Sequence, residues 1–199
     1  MASVALVIEK QLQSWMALWR AGNPQFNLTA FEKLHEKVIV PEQEHPYDPS
    51  QENPSRKLVY VFSPNRMRFI DPYLGMELWE QDGKIVAGFE PDSGVALVDL
   101  NEKTWKRLLF CGTPCGFQDV TWIDNDTFAV VGSSVYDQAG QLAHCTETDE
   151  DSSRGFCTIP MLYIFDLARN VRSTYTAPAT RTLGGRGYLR AKFPSVKFD

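Results

Sequence analysis

The residue types best suited to chemistry are four cysteines, Cys111, Cys115, Cys145 and Cys157. Their spacings, C-x3-C and then C-x11-C, lack the paired C-x2-C knuckles of a structural zinc site. Cys111-Gly-Thr-Pro-Cys115 has one residue too many, and no βαβ setting, for a thioredoxin-like redox centre. A structural role fits better. Cys145 and Cys157 bracket an acidic tract, and Cys111 and Cys115 flank a Gly-Pro turn. Each pair is a candidate disulfide that would limit loop entropy. Both bridges require an oxidising compartment; in the cytosol all four cysteines would be free thiols.

Other reactive side chains form no constellation. The tract Thr146-Glu-Thr-Asp-Glu-Asp151 lacks the alternating spacing and distal Glu of a calcium-binding EF-hand loop, so it reads as a solvated charge run. His35, His45 and His144 stand in no metal-ligand pattern, and His35 is expected on the second helix, at the surface or packed in the cap. No nucleophile elbow, phosphate-binding loop or dinucleotide fingerprint occurs. Gly184-Gly-Arg-Gly187 reads as a flexible connector. No catalytic residue, metal ligand or cofactor is therefore expected. A ligand would meet aromatic side chains instead, with Trp79 and Trp122 forming one wall of a pocket where a sheet face meets a helical cap.

The elements that would position these residues change character along the chain. Residues 3–20 place Val4, Leu6, Val7, Ile8, Leu12, Trp15, Met16, Leu18 and Trp19 at helical spacing, with Gly22 and Pro24 as the stop. Thr29 followed three residues later by Glu32 has capping-box spacing. This predicts a second helix over 30–37, with Phe31, Leu34 and Val38 inward, so that residues 1–40 form a helical hairpin cap. Pro41, Pro46, Pro49 and Pro54 mark 41–57 as a linker. Residues 58–199 read as an antiparallel β domain of roughly nine strands joined by tight turns, with an insertion at 134–159 and a last strand at Tyr188–Phe193. The class is mainly β, α+β overall, with an up-and-down barrel as the alternative.

An internal echo sharpens that reading. Hairpins beginning at Lys57, Val95 and Met161 look alike, with Asp99 matching Asp166. Before the last two stand Glu77-Leu-Trp79…Gly88 and Val120-Thr-Trp122…Gly132, so Trp79 would match Trp122 in two four-strand units. Those units resemble WD40-like β-propeller blades over residues 57–177, without the regular Gly-His and Trp-Asp signature. The opening Trp15-Met-Ala-Leu-Trp19-Arg-Ala-Gly22 resembles the start of folds related to nuclear transport factor 2, which host isomerases, dehydratases and binders. That second resemblance implies no residue-level role here.

Composition narrows the partners. A net charge of −5 argues against a nucleic-acid surface, and no run is long and apolar enough to span a bilayer. The apolar start ends at Glu9 and Lys10 without a basic region or cleavage site, so a cytoplasmic location is expected. A periplasmic or secreted location is the alternative for a chain trimmed of a leader. The expected function is a non-catalytic binding or protein-interaction module. The alternatives are a small-molecule-binding barrel-like protein and an enzyme of the nuclear transport factor 2-like class. Open strand edges make a homodimer a candidate assembly.

Overall fold

The computed structural model describes residues 2–113, 115–137, 139–145, 156–182 and 185–199. Two helices, α1 (Ala2–Gln11) and α2 (Gln13–Gly22), precede β1 (Glu32–Val38) and β2 (Gln43–Pro46). Then come β3 (Val61–Phe62), β4 (Arg68–Asp71), β5 (Met76–Gln81), β6 (Lys84–Phe89), β7 (Ser93–Asp99) and β8 (Thr104–Cys111). The chain continues with β9 (Cys115–Trp122), β10 (Thr127–Ser134), β11 (Phe156–Asp166), β12 (Val171–Thr176) and β13 (Thr180–Thr182). It ends with α3 (Gly185–Lys192) and β14 (Lys197–Phe198). The protein is thus mainly β, with antiparallel sheets under helices and no closed barrel among the described residues.

Three expectations change at the level of elements. The helix expected over 3–20 is interrupted at Leu12, which has φ −110° and ψ 40°. The helix expected over 30–37 is the strand β1. Its helical spacing is produced by a β-bulge: Lys33 faces Tyr175 and His35 faces Thr174, leaving Leu34 as the extra residue that breaks the two-residue period. Asn27, not Thr29, supplies the cap, accepting from the amides of Thr29 and Ala30 over one 3-10 turn. The last expected strand, Tyr188–Phe193, lies mostly in helix α3. A helix brings Tyr188 and Lys192 onto one face, where both reach a buried carboxylate.

The two main sheets share one plan. The first has the order β2-β8-β7-β4-β3 and the second β1-β12-β11-β10-β9, with β13 beside the start of β11. Corresponding hydrogen bonds recur. Leu100 N donates to Met67 O at 3.0 Å, and Leu167 N to Asp126 O at 2.8 Å. Tyr47 N donates to Lys103 O at 2.8 Å, and Ile39 N to Asn170 O at 3.0 Å. Lys103 and Asn170 end the two hairpin turns in the left-handed region, at φ 53° and 54°.

The equivalence is therefore β3-β4-β7-β8 with β9-β10-β11-β12. The hairpin β5–β6 is an insertion between β4 and β7, paired with β14 in a separate three-stranded sheet. Asp99 and Asp166 do correspond. Trp79 and Trp122 do not: Trp122 faces Phe128 as Phe62 faces Phe69.

The core has two parts. Between the main sheets lie Ile70, Val95, Leu97 and Leu108 against Val120, Trp122, Phe128, Val130 and Phe165. The rings of Phe128 and Phe165 stack with centroids 4.7 Å apart. On the far face of the second sheet, Ala129, Val131 and Leu162 meet Ile8, Trp15, Met16 and Trp19 of the helices. Strand β10 is covered on both faces, which explains its uninterrupted apolar run Phe128-Ala-Val-Val131.

Candidate functional site: a cleft between the sheets

The sheets pack tightly at the Phe128 end and part at the other. The face of the second sheet that carries Val130 and Phe165 inside the core continues through Tyr163 and Met161 of β11 into a cleft of about 730 Å³. Strand pairing builds its floor. His35 lies opposite Thr174, Lys37 opposite Arg172, Tyr163 opposite Thr174 and Met161 opposite Thr176. Cross-strand partners share a face, so these side chains form one surface. Leu109, Phe110 and Cys111 of β8 form the facing wall.

A short loop following β10 closes the third side. Tyr136 bridges to Leu142, and Asp137 N donates to Gln141 O at 2.8 Å. The Asp137 carboxylate accepts from the amides of Ala139 at 2.9 Å and Gln141 at 2.8 Å. Three exposed large apolar residues, Phe110, Tyr136 and Leu142, stand together at the cleft. Scattered apolar residues on a surface are ordinary; a group rimming a concavity makes it a candidate binding surface.

Charge in the cleft is lopsided. Glu42 is engaged by Arg107, with Nε 3.3 Å from its carboxylate, and Asp137 is occupied by its own loop. Among the described residues, neither Arg172 nor Lys37 has an ion-pair partner; the Arg172 guanidinium lies 6.0 Å from the centre of the Tyr163 ring. Arg172 Nε and Thr174 Oγ1 are both buried without a hydrogen-bond partner, and Thr174 is only 2% exposed. Burial lowers the His35 pKa, and Lys37 and Arg172 lower it further. The imidazole is thus neutral near pH 7. Burial also raises the Tyr163 phenol, which stays protonated.

Both cysteine pairs sit at bonding distance beside this cleft. Cα separations are 6.0 Å for Cys111–Cys115 and 5.8 Å for Cys145–Cys157, inside the disulfide range. The first pair lines the cleft wall where β8 passes to β9. The second ties the end of the roof loop to β11. The acidic tract 146–151 between its two cysteines lies outside the described residues, as does Gly184.

A second polar cluster is buried under α3. A bulge leaves Gln118 as an extra residue of β9, so that Gln118 and Asp119 both address the helices. Gly132 faces this bulge because a Cβ there would collide with the carbonyl of Gly116. Trp15 Nε1 donates to Gln118 Oε1 at 2.7 Å, and Tyr73 Oη to Gln118 O at 2.7 Å. Asp119 accepts from Tyr188 Oη and Lys192 Nζ. Tyr188 and Lys192 have the spacing of a Tyr–Lys acid–base pair, but burial and Asp119 push the phenol well above its ordinary pKa. A phenol held protonated cannot serve as a base. Every member has a partner, so the cluster pins α3 to β9.

The tryptophans proposed as ligand contacts lie apart from each other and from the cleft. Trp122 is in the inter-sheet core, and its Nε1 donates to Val61 O at 2.9 Å. Trp79 is half-buried on β5 over Gly88. Of the histidines, His45 stacks on Trp105 with centroids 4.5 Å apart, while His35 and His144 line the cleft. Arg172, Thr174 and Tyr163 carry no motif. Their one sequence signal was alternation within Val171–Thr176 and Met161–Leu167, once the β1 edge is known to lie beside them. Comparison with protein-family models, with characterised proteins and with solved structures found no match. Among the described residues there is no group of three metal-binding side chains, and no helix is long and apolar enough to cross a membrane.

Proposed function

We propose that this protein is a non-catalytic binding protein whose small-molecule ligand occupies the cleft between the two main sheets. The observation that carries the reading is continuity. The apolar face that forms the inter-sheet core runs on, uncovered, into a concavity of about 730 Å³ with a few polar groups converging on it. That combination is what small-molecule sites look like. The Cys111–Cys115 pair lines the cleft, and Cys145–Cys157 would tie the end of the loop beside it to β11, which fits an oxidising compartment. The shared plan of the two sheets supports treating them as two blade-like units, with the ligand at the end where they part. Native mass spectrometry of protein purified from its source tests the reading. A co-purified small molecule, lost on denaturation, is expected. Ligand-free protein that also fails to take up an apolar dye would contradict it.

A second reading concerns assembly. Strand β1 is the free edge of its sheet, and Val38 and Val40 there are 63% and 74% exposed. Edge-to-edge pairing of two copies would cover them. Light scattering that gives a monomer at all concentrations would dispose of it.

A further inference from the structure

The polar groups of the cleft specify more than a concave apolar site. We infer that the ligand is an organic monoanion, a carboxylate on an aryl or alkyl body, with Arg172 and Thr174 holding the carboxylate and the apolar wall holding the body. The inference rests on the cleft being the ligand site.

An arginine on a half-buried sheet face ordinarily has a carboxylate beside it, because an unpaired desolvated cation is costly. Elsewhere this protein follows that rule: Arg56 is paired with Asp71 and Arg68 with Asp99, and Arg107, whose Nε also lacks a hydrogen bond, still has the Glu42 carboxylate 3.3 Å away. Among the described residues, Arg172 has only the Tyr163 ring. Its Nε and the Thr174 hydroxyl are buried and unsatisfied, and the two residues stand two apart on one strand, so their side chains share a face. A planar carboxylate matches the side-on fork of a guanidinium, which offers two parallel N–H groups. The threonine hydroxyl would donate to the same group.

Lys37, opposite Arg172 in the strand register, adds a second positive charge at the rim. Among the described residues, the acids that line the cleft are already engaged: Glu42 by Arg107 and Asp137 by its own loop amides. The groups facing His35 are Lys37 and Arg172, both cationic, and an anion seated between them would relieve that crowding. The body of the ligand would lie against Leu109, Phe117 and Met161, which line the same cleft.

Calorimetric titration of the full oxidised chain with 4-phenylbutyrate, and with 4-phenylbutanamide of the same shape, tests this. The carboxylate is expected to bind at least tenfold more tightly than the amide. Arg172→Gln should weaken the carboxylate tenfold or more and the amide far less, by about threefold at most. Arg172→Lys should fall between, and Thr174→Val should weaken the carboxylate about threefold. Circular dichroism of each variant establishes that it is folded. Equal binding of carboxylate and amide, or a folded Arg172→Gln protein that binds the carboxylate normally, would overturn the inference while leaving the cleft as a ligand site. Failure of both probes to bind at millimolar concentration would overturn the inference and the underlying reading together.

Discussion

The two main sheets have the same strand order and the same turn geometry, yet the chain fills the gap between their second and third strands in different ways. In the first sheet the gap holds the β5–β6 hairpin, which buries Met76, Leu78 and Ala87 under the helices. Its stem is clamped by Arg56. Nε meets Asp71 at 2.9 Å, Nη1 the Met76 carbonyl at 2.5 Å and Nη2 the Tyr73 carbonyl at 2.9 Å. In the second sheet the gap holds the roof loop and the segment beyond it, and the stem is clamped by Cys145–Cys157. One insertion has enough apolar surface to become core and is fixed by a buried ion pair. Of the other, the described residues of loop 135–145 lie beside the cleft and are tied to β11 by a covalent bond. The lesson is that a repeated scaffold keeps its register while its insertions divide the work: one completes the core, the other shapes the site.

The comparison is sharpest where one clamp is removed. Arg56→Met leaves Asp71, 4% exposed, without its counter-charge. The expected loss is about 3–5 kcal/mol, read by urea denaturation. Burial raises the Asp71 pKa against the pull of Arg56, so the variant's deficit should shrink as the pH falls and Asp71 takes up a proton. A deficit below about 1 kcal/mol would mean that the Arg56 clamp does not hold the first insertion.

Removing the other clamp should cost less. The double variant Cys145→Ser/Cys157→Ser opens a 12-residue loop and is expected to lose about 3 kcal/mol, against about 2 kcal/mol for the shorter Cys111–Cys115 loop. The same variant should weaken ligand binding without altering the β5–β6 amide shifts. Unchanged binding would separate the roof loop from the site.

The matched turns give a smaller contrast. Asp99 accepts from the amides of Asn101 and Glu102 and from Arg68 Nε at 2.6 Å, while Asp166 accepts from one amide, that of Arg169. Asp99→Ala is expected to cost about 2–3 kcal/mol and Asp166→Ala about 0.5–1 kcal/mol. Burial raises the Asp99 pKa, but the hydrogen bonds from Arg68, Glu102 and Asn101 outweigh it and leave it lowered. Its contribution is therefore present above the unfolded value of 3.8 and lost as the pH falls through the folded one. Equal costs at the two aspartates would mean that Arg68 and the second amide add nothing at Asp99.

The smallest expected effect is at His35. Its lowered pKa means that the unfolded chain binds the proton first, so stability should decline as the pH drops below the ordinary value of 6.5. His35→Asn should flatten that limb. A bound carboxylate should raise the His35 pKa, an effect that imidazole proton shifts would report.

Much of this architecture was legible, and the misses have definite causes. Alternation and turn residues disclose the hairpins, and the Asp99–Asp166 match is genuine because both side chains cap the same kind of turn. The repeat was misassembled because the β5–β6 hairpin lies next to β7 in sequence while its true neighbour, β4, lies beyond the insertion. Strand β1 looked helical because the bulge at Leu34 spaces its apolar residues three and four apart. Helix α3 looked like a strand because its glycines hide a face defined by Tyr188 and Lys192, whose partner Asp119 is 69 and 73 residues away. The cleft was not legible at all. Its floor is assembled from three strands, and that Arg172 has no ion-pair partner among the described residues emerges only from their three-dimensional placement.

The most direct measurement of the central claim is an amide and methyl chemical-shift map of the oxidised protein titrated with 4-phenylbutyrate. Saturable shifts concentrated on His35, Met161, Tyr163, Arg172 and Thr174, with Trp79 and the β5–β6 hairpin unmoved, are the expected result. Shifts centred on Trp79 or on the α3 cluster, or no saturable shifts, would contradict a ligand site between the sheets.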